Sequence, residues 1–127
     1  MSITIEKVQQ GKVVIGSNEF EVDSLPWNNH PTFTGVALKH LITGKDTADK
    51  FSCHLVRIDT GCEIGSHIHA GKWELHEVVK GKGYCLIENS KIAYGEGIVT
   101  VIPADLPHSV FADEQLYLLA KFVPALL

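Results

Sequence analysis

The chain has 127 residues, of which 45% are hydrophobic and 20% charged, and its formal net charge is −4. We expect one domain over residues 1–127, because a chain of this length buries most of a single core, and the composition excludes a disordered or fibrous protein. The acidic balance, without a cluster of Lys and Arg, speaks against a nucleic-acid partner, whose affinity comes largely from neutralised phosphates.

The N-terminal sequence lacks a basic start followed by a long apolar run, and no stretch approaches the roughly 20 apolar residues of a spanning helix. The cysteines are Cys53, Cys62 and Cys85, an odd number without a CxxC motif. A disulfide framework is therefore not indicated, and a reducing compartment fits. We predict a cytoplasmic protein without a membrane partner.

Short alternating segments separated by turn residues predict a mostly β protein. In chain order, strands are predicted at residues 3–8, 12–15, 32–43, 51–59, 65–69, 73–79, 83–88, 91–94, 98–102, 108–112 and 116–122. Turn sequences such as Lys-Gly-Lys-Gly at 80–83 predict hairpins and hence antiparallel sheet. Residues 44–50 are the only segment with helical character, and we favour a polar loop there.

Two further segments carry expectations of their own. Residues 25–34, LPWNNHPTFT, are predicted to form a loop, either a lid over a pocket or an irregular crossing that buries Trp27. Residues 124–127 form an apolar tail after the last strand. Burial against a partner subunit is the favoured interpretation of the tail, and packing on its own barrel is the alternative.

Many short strands with closely spaced turns are typical of a sandwich or barrel, and a jelly roll covers its strand edges with two packed sheets. Inward side chains alternate with outward ones along each strand of such a barrel. Those near the wider mouth can converge on a ligand, so the mouth is the expected place for chemistry.

A fixed spacing of glycine, histidine and glutamate joins Gly61, His67, His69, Glu74 and Gly81. A His-x-His pair on a strand aims both rings the same way, and mid-row divalent cations accept imidazole nitrogen and carboxylate oxygen. The whole spacing arises by chance in roughly 2 of 10,000 chains of this composition. The pattern therefore predicts a metal site on a β-barrel.

A second block, GIVTVIPADLPHSVFA, places Gly97, Pro103, Asp105 and His108 between residues 97 and 112. A glycine turn, a strand and a proline-bounded loop would return His108, at the start of the next strand, to the same mouth. The block therefore predicts a fourth metal ligand.

The two blocks resemble the paired motifs of the cupin superfamily, over roughly residues 51–122. The first block matches every defining position, whereas Asp105 stands where the family usually has Gly and Ala112 where it often has Asn. The resemblance implies an all-β fold, a single small double-stranded β-helix barrel of the jelly-roll (RmlC-like cupin) type, with extra N-terminal strands here. Carried over position by position, the family's metal ligands are His67, His69, Glu74 and His108.

The resemblance also implies a divalent transition metal, with Fe, Mn, Ni, Co and Zn all compatible with the ligands, and a homodimer. Three histidines and one carboxylate would leave coordination positions open on a six-coordinate metal. We predict a metal-dependent enzyme acting on a small oxygenated molecule, of the oxygenase, isomerase, decarboxylase or lyase type. The alternatives are a non-catalytic metal-bearing module that binds or senses a small ligand, and a structural barrel.

Other polar residues are candidates for the same pocket. His76 shares the strand face of Glu74, and three roles stay open for it: a partner that orients Glu74, a proton carrier beside the metal, or a core histidine. Tyr84 is a second catalytic candidate. Arg57, His54 and Trp27 are candidate substrate-binding residues, provided that their strands and loop turn them inward.

Overall fold

The computed structural model describes residues 4–127. Helices α1 and α2 cover Ile5–Gln9 and Gly44–Thr47, and a 3-10 turn covers Val22–Ser24. The strands are β1 Lys12–Ile15, β2 Asn18–Glu21, β3 Asn28–Asn29, β4 Val36–Ile42, β5 Ser52–Ile58, β6 Glu63–His67, β7 Trp73–Lys80, β8 Gly83–Ile87, β9 Ser90–Tyr94, β10 Val99–Ile102, β11 His108–Ala112 and β12 Leu116–Val123.

The strands form two large antiparallel sheets and one small hairpin. The six-stranded sheet has the order β10-β7-β12-β5-β4-β3, the four-stranded sheet has the order β6-β11-β8-β9, and β1 pairs with β2. Non-consecutive neighbours such as β7 and β12 show that the chain crosses repeatedly between the sheets. The predicted all-β jelly-roll fold is confirmed, and β1 to β3 are its extra N-terminal strands.

The main core lies between the two large sheets and follows the alternation of the strands. Along β12, Leu116, Leu118, Ala120 and Phe122 are buried and face inward, whereas the residues between them are half-buried on the other face. Burial of a leucine side chain contributes about 1.5–3 kcal/mol, so this alternation fixes the register of β12.

A second apolar cluster covers part of the outer face of the six-stranded sheet. Ile5, Val13 and Val22 come from the N-terminal segment, and Leu41 and Leu55 come from the outward positions of β4 and β5. The N-terminal segment therefore forms a layer outside the barrel. As a consequence, the central strands β4 and β5 are buried on both faces.

The strand predicted at residues 3–8 is wrong where it can be compared, and its first residue lies outside the described part of the chain. Helix α1 begins after Thr4, whose side-chain oxygen accepts a hydrogen bond from the Lys7 backbone N–H at 3.3 Å. Ile5 then points into the outer cluster. In so short a segment the apolar residues fit the period of a helix as well as that of a strand. The hydrogen bond of the N-cap residue Thr4 favours the helix.

The polar loop favoured for residues 44–50 is also wrong, because α2 occupies Gly44–Thr47. The Asp46 carboxylate accepts a hydrogen bond from the Thr43 backbone N–H at 2.9 Å, which makes a capping box at the N-terminus of α2. Ala48 and Asp49 then take positive φ and end the helix. No helix in residues 4–127 is long and apolar enough to cross a bilayer.

Part of the apolar tail packs on its own barrel. The Leu126 N–H donates to Ser52 Oγ at 2.8 Å, and the Ala125 N–H donates to the Asp49 carbonyl at 3.1 Å. Lys72 Nζ donates to the Ala125 carbonyl at 3.0 Å. The Leu126 side chain packs against the main core, whereas Leu127 stays 59% exposed. Packing of the tail on its own barrel is therefore found at Leu126, and burial of the tail against a partner subunit stays a prediction.

Candidate metal centre

Three histidines and one glutamate converge at the mouth of the barrel. His67 ends β6, His69 follows in the next loop, Glu74 lies on β7, and His108 begins β11. One ligand atom from each lies within 4.8 Å of the ligand atoms of the others. Since β11 pairs with β6 in one sheet, with His108 opposite His67, and β7 belongs to the other sheet, the cluster joins the two sheets.

Backbone carbonyls fix the orientation of two of the rings. His67 Nδ1 donates to the Gly65 carbonyl at 2.7 Å, and His108 Nδ1 donates to the Leu106 carbonyl at 3.0 Å. In a neutral imidazole this leaves the lone pair on Nε2, which faces the cluster. Both rings are therefore held in the tautomer that a metal ion requires.

The distances within the cluster fit a shared cation. His67 Nε2 lies 3.0 Å from His69 Nε2, and Glu74 Oε1 lies 3.1 Å from His108 Nε2 and 3.6 Å from His69 Nε2. Two ligand atoms about 2.1 Å from one ion and about 90° apart are separated by about 3.0 Å. Facing lone pairs at such distances repel unless a proton or a metal ion lies among them. The residues present therefore fit a metal.

Three of the four residues have pKa values that favour the deprotonated form in which they can bind a metal. Burial alone raises the pKa of Glu74, but His76 and hydrogen bonds from His108 and His76 lower it well below its usual range. Burial lowers the pKa of His69 to about 4 and also lowers that of His67. At neutral pH these groups are a carboxylate and two neutral imidazoles. His108 differs: burial lowers its pKa, but its hydrogen bonds to Glu74 and to the Leu106 carbonyl, together with the charge of Glu74, raise it above the ordinary value.

The cluster opens on a cavity of about 70 Å³ in the barrel interior. Three cluster residues and His76 form its polar side, Leu126 comes from the tail, and His30 comes from the loop before β4. The remaining wall is apolar and consists of Leu38, Val56, Ile64, Leu118, Ala120 and Phe122. The arrangement can hold a small molecule against the ligand cluster.

His30 is a cavity residue that sequence reasoning did not single out. Its Nδ1 accepts hydrogen bonds from the backbone N–H groups of Thr32 at 3.0 Å and Phe33 at 3.2 Å. Because Nδ1 is an acceptor, the proton of the neutral ring is on Nε2. The only signal in the sequence is the turn His-Pro-Thr-Phe, in which a histidine can accept bonds from the backbone that follows it.

A family profile described as "Cupin domain" matches residues 54–120, which is more than half of the chain. The chain is a cupin. The region of resemblance expected from the two motifs, about 51–122, contains the whole match. No curated protein sequence matches this cupin.

Solved structures show the same fold at low sequence identity. A predicted oxalate decarboxylase from Thermotoga maritima is 19% identical with a TM-score of 0.73, and the match covers 80% of this chain and 95% of that one. KdgF from Halomonas sp. is 22% identical with a TM-score of 0.73 and coverage of 83% and 93%. The polyketide cyclase RemF from Streptomyces resistomycificus is 17% identical with a TM-score of 0.72 and coverage of 84% and 78%.

The two departures from the cupin motif are accommodated by the backbone. Asp105 has φ of 70°, so it takes the left-handed conformation for which glycine is preferred, and its Oδ1 accepts a hydrogen bond from the Gly71 N–H at 2.8 Å. Ala112 has no polar side chain, but its carbonyl accepts from the Gly61 N–H at 2.8 Å. The tight turn before His108 is therefore kept.

His76 is brought to the cluster and is buried. Its Nε2 donates to Glu74 Oε2 at 2.7 Å, and its Nδ1 lies 2.8 Å from the Tyr94 hydroxyl. Of the three roles left open, the contact with Glu74 favours a partner that orients this carboxylate. Tyr94 was not expected, since an inward tyrosine at the end of β9 has no motif around it.

Three other candidates lie outside the barrel interior of this cupin. Tyr84 lies on the outer face of the four-stranded sheet, where its ring stacks on Phe111 with centroids 5.3 Å apart. Arg57 lies on the outer face of the six-stranded sheet, with Cζ 4.4 Å from the centre of the Trp27 ring. The structure does not bring these residues to the cavity. Within residues 25–34, Trp27 thus packs outside while His30 reaches the cavity.

His54 faces inward but does not line the cavity. It is fully buried, with Nδ1 2.8 Å from His40 Nδ1 and Nε2 2.8 Å from Ser52 Oγ. The Phe122 ring, whose centre is 5.7 Å from that of His54, also lines the cavity. His54 therefore belongs to a separate histidine pair, formed with His40.

Proposed function

We propose that this cupin is a metal-dependent enzyme that acts on a small oxygenated molecule, with His67, His69, Glu74 and His108 as the metal ligands. The observation that carries the proposal is that the four-residue cluster opens on a partly enclosed, largely apolar cavity. A metal with a purely structural role needs no such space. Among the structural neighbours, a predicted oxalate decarboxylase and a polyketide cyclase carry enzyme names, which is consistent with catalysis on this fold.

The cavity limits the size and the charge of the substrate. Its volume of about 70 Å³ corresponds to roughly five water molecules, at about 10–15 Å³ each on the same measure. No Lys or Arg is among its lining residues, so a second carboxylate would have no cationic side chain to pair with. The best fit is a molecule of a few non-hydrogen atoms, with one oxygen for the metal and a second acceptor for the His30 Nε2–H.

The roles of the residues follow from this arrangement. A bound Mn, Fe, Co, Ni or Zn ion would act as a Lewis acid that polarises an oxygen of the substrate. His30, which lines the same cavity, would hold an acceptor oxygen of the substrate with its Nε2–H. The apolar walls and Leu126 would exclude water, which strengthens each polar contact in the cavity.

Metal analysis coupled to a thermal-shift screen of small carboxylates, sugars and phenolics tests the proposal. A ligand that binds only the folded protein raises Tm, and we expect small hydroxy acids such as glycolate to raise it only when metal is present. Sugars and phenolics should have no effect because the cavity is too small. Less than about a tenth of an equivalent of metal after loading with Mn²⁺, Co²⁺ or Zn²⁺ would contradict the metal site.

A second candidate function is a non-catalytic module that binds or senses a small ligand through its metal. It is favoured by the position of the two residues first considered as acid or base: Tyr84 lies outside the barrel, and both ring nitrogens of His76 are already engaged. The two functions separate when the metal-loaded protein is incubated with each thermal-shift hit. Recovery of the hit unchanged by mass spectrometry identifies a binder, and a metal-dependent product identifies an enzyme.

We propose a second copy of the chain as partner, on the outer face of the six-stranded sheet. Edge strand β10 and its neighbourhood expose Val99 at 61%, Val101 at 53%, Trp73 at 53% and Val123 at 55%. Such an apolar face is a liability for a monomer, and pairing it with its own copy would bury it. This exposed apolar face is a physical reason for a homodimer that does not depend on the tail.

Light scattering of purified protein tests the dimer. We expect a mass twice that of one chain for the wild type and a single-chain mass for Val99→Lys combined with Val101→Lys. Val14→Lys is the matched control, since Val14 is equally exposed at 61% but lies on the small hairpin. A monomeric wild type would contradict the dimer. The cytoplasmic location stays a prediction.

A further inference from the structure

The two oxygens of Glu74 have different partners. Oε1 lies 3.1 Å from His108 Nε2 and 3.6 Å from His69 Nε2, so it is the oxygen that faces the metal ligands. Oε2 accepts a hydrogen bond from His76 Nε2 at 2.7 Å. The carboxylate is therefore divided between the cluster and His76.

His76 is itself held from the opposite side. A carboxylate has no hydrogen to donate, so His76 Nε2 carries the proton, and in the neutral ring Nδ1 is an acceptor. Tyr94, whose oxygen lies 2.8 Å from that Nδ1, therefore donates its O–H to His76. The two bonds therefore run in one direction, from the Tyr94 hydroxyl through His76 to Glu74 Oε2.

Burial makes this arrangement rigid. His76 and Tyr94 are each only 3% exposed. If the His76 ring turned away from Glu74, both ring nitrogens and the Tyr94 hydroxyl would lose partners where water cannot replace them, and an unsatisfied buried polar group costs about 1–3 kcal/mol. The position of Oε2 is thus fixed by the core, independently of any metal.

We infer that His76 and Tyr94 are positioning residues that keep Glu74 a one-oxygen ligand, and so keep one coordination position open for substrate. Without the His76 bond, Oε2 would be free to turn toward the metal and occupy a second position. The inference rests on the proposed metal function. It adds that two residues outside the ligand set keep the coordination position for substrate open. It also leaves His76 without a free nitrogen for proton transfer.

The test uses Mn²⁺ added to the purified protein, because water-proton relaxivity reports the waters bound directly to Mn²⁺. We expect His76→Leu to lose about one bound water and to bind Mn²⁺ about 10–100-fold more weakly than the wild type, the usual loss for partners of metal ligands. His76→Gln, which offers an N–H near the position of Nε2, should restore the wild-type relaxivity. Tyr94→Phe should lose part of the effect because the His76 ring is no longer held.

His54→Gln is the matched control, since His54 is as buried as His76 but hydrogen-bonds to Ser52 and His40 instead of a ligand. Its relaxivity should equal that of the wild type. Mn²⁺ bound by a folded His76→Leu with unchanged relaxivity would overturn the inference alone. If His76→Leu does not fold, wild-type relaxivity and Mn²⁺ affinity in Tyr94→Phe overturn it. A wild type that binds no Mn²⁺ would overturn the metal site as well.

Discussion

Two buried histidines of this cupin lie in one row of the six-stranded sheet and have different surroundings. His76 on β7 pairs with Ala120 on β12, which pairs with His54 on β5, which pairs with His40 on β4. All four positions face the barrel interior. The metal cluster therefore lies at one side of Ala120 and the histidine pair, His40 and His54, at the other.

The partners of the two rings decide what each can do. His76 donates to a carboxylate and accepts from a phenol, so its bond to Glu74 is charge-assisted. His54 has only another histidine and a serine, and burial, together with His40, lowers its pKa to about 4 even though Glu74 acts in the opposite direction. The same residue type at equal depth thus supports a metal ligand in one case and a neutral core contact in the other.

The largest contrast between the two sides should come from metal binding. Loss of a partner behind a ligand typically costs 10–100-fold in affinity, so Glu74→Gln, which removes a charged ligand, should weaken Zn²⁺ binding by about 1,000-fold or more. His54→Gln should leave it within about threefold. Competition with a chelating dye measures both. Equal losses of Zn²⁺ affinity in the two variants would contradict this distinction, because the histidine pair would then contribute to metal binding as much as the ligand does.

Stability in acid should show the opposite contrast, because here the larger effect should come from the histidine pair. The folded pKa of His54 is about 4, below the ordinary value of 6.5. Between these values the unfolded chain binds a proton that the folded chain does not, so stability is full above pH 6.5 and is lost as pH falls toward 4. At 1.36 kcal/mol per unit the loss due to His54 is up to about 3 kcal/mol.

Urea unfolding between pH 7 and pH 4, with EDTA present to exclude metal, measures this slope. His54→Gln has no proton to bind at this position, so its free energy of unfolding should fall less steeply with acid than that of the wild type. Parallel curves for the two proteins would contradict the low pKa. The cluster histidines titrate in both proteins and cancel in the difference, so the difference reports the pair of His54 and His40, which are in contact.

The small residue between the two sides should matter for the ligand rather than for the metal. Ala120 is buried and lines the cavity, and adding methyl groups to a packed core costs about 1–2 kcal/mol. Ala120→Val should therefore lower the free energy of unfolding by that amount and keep Zn²⁺ affinity. It should also abolish the Tm increase caused by glycolate in the metal-loaded protein. A glycolate effect of wild-type size would show that the ligand binds elsewhere.

The fold and the ligand cluster were predictable because their information is local. The spacing from Gly61 to Gly81 sets a turn, a strand end and the parity of the next strand. Gly81 has a positive φ, and a Cβ at this position would collide with the Gln115 carbonyl oxygen, so the turn requires glycine. Register errors of a residue or two at strand ends, as at β6, do not move the ligands out of the site. The expected residues therefore converge.

The positions of the other candidate residues depend on long-range partners. Nothing near Arg57 or Tyr84 in the sequence shows which face of its strand is covered, and both side chains lie outside the barrel. His30 lines the cavity because a backbone N–H of its own turn donates to its Nδ1. The arrangement of His76 depends on Tyr94, which comes from β9. A single sequence carries no record of such pairings.

The smallest effect should come from Ser52, which links the histidine pair to the tail over the metal cavity. Its Oγ accepts from the Leu126 N–H and lies 2.8 Å from His54 Nε2. Ser52→Ala removes both bonds, so it should lower the free energy of unfolding by about 1 kcal/mol and speed exchange of the Leu126 amide about fivefold. Thr47→Ala is the control, because Thr47 Oγ1 makes two comparable bonds to the Phe51 backbone without touching the tail. If the Leu126 amide exchanges as slowly in Ser52→Ala as in the control, the other hydrogen bonds of the tail are sufficient to hold it in place. The histidine pair would then have no influence on the part of the tail that lines the metal cavity.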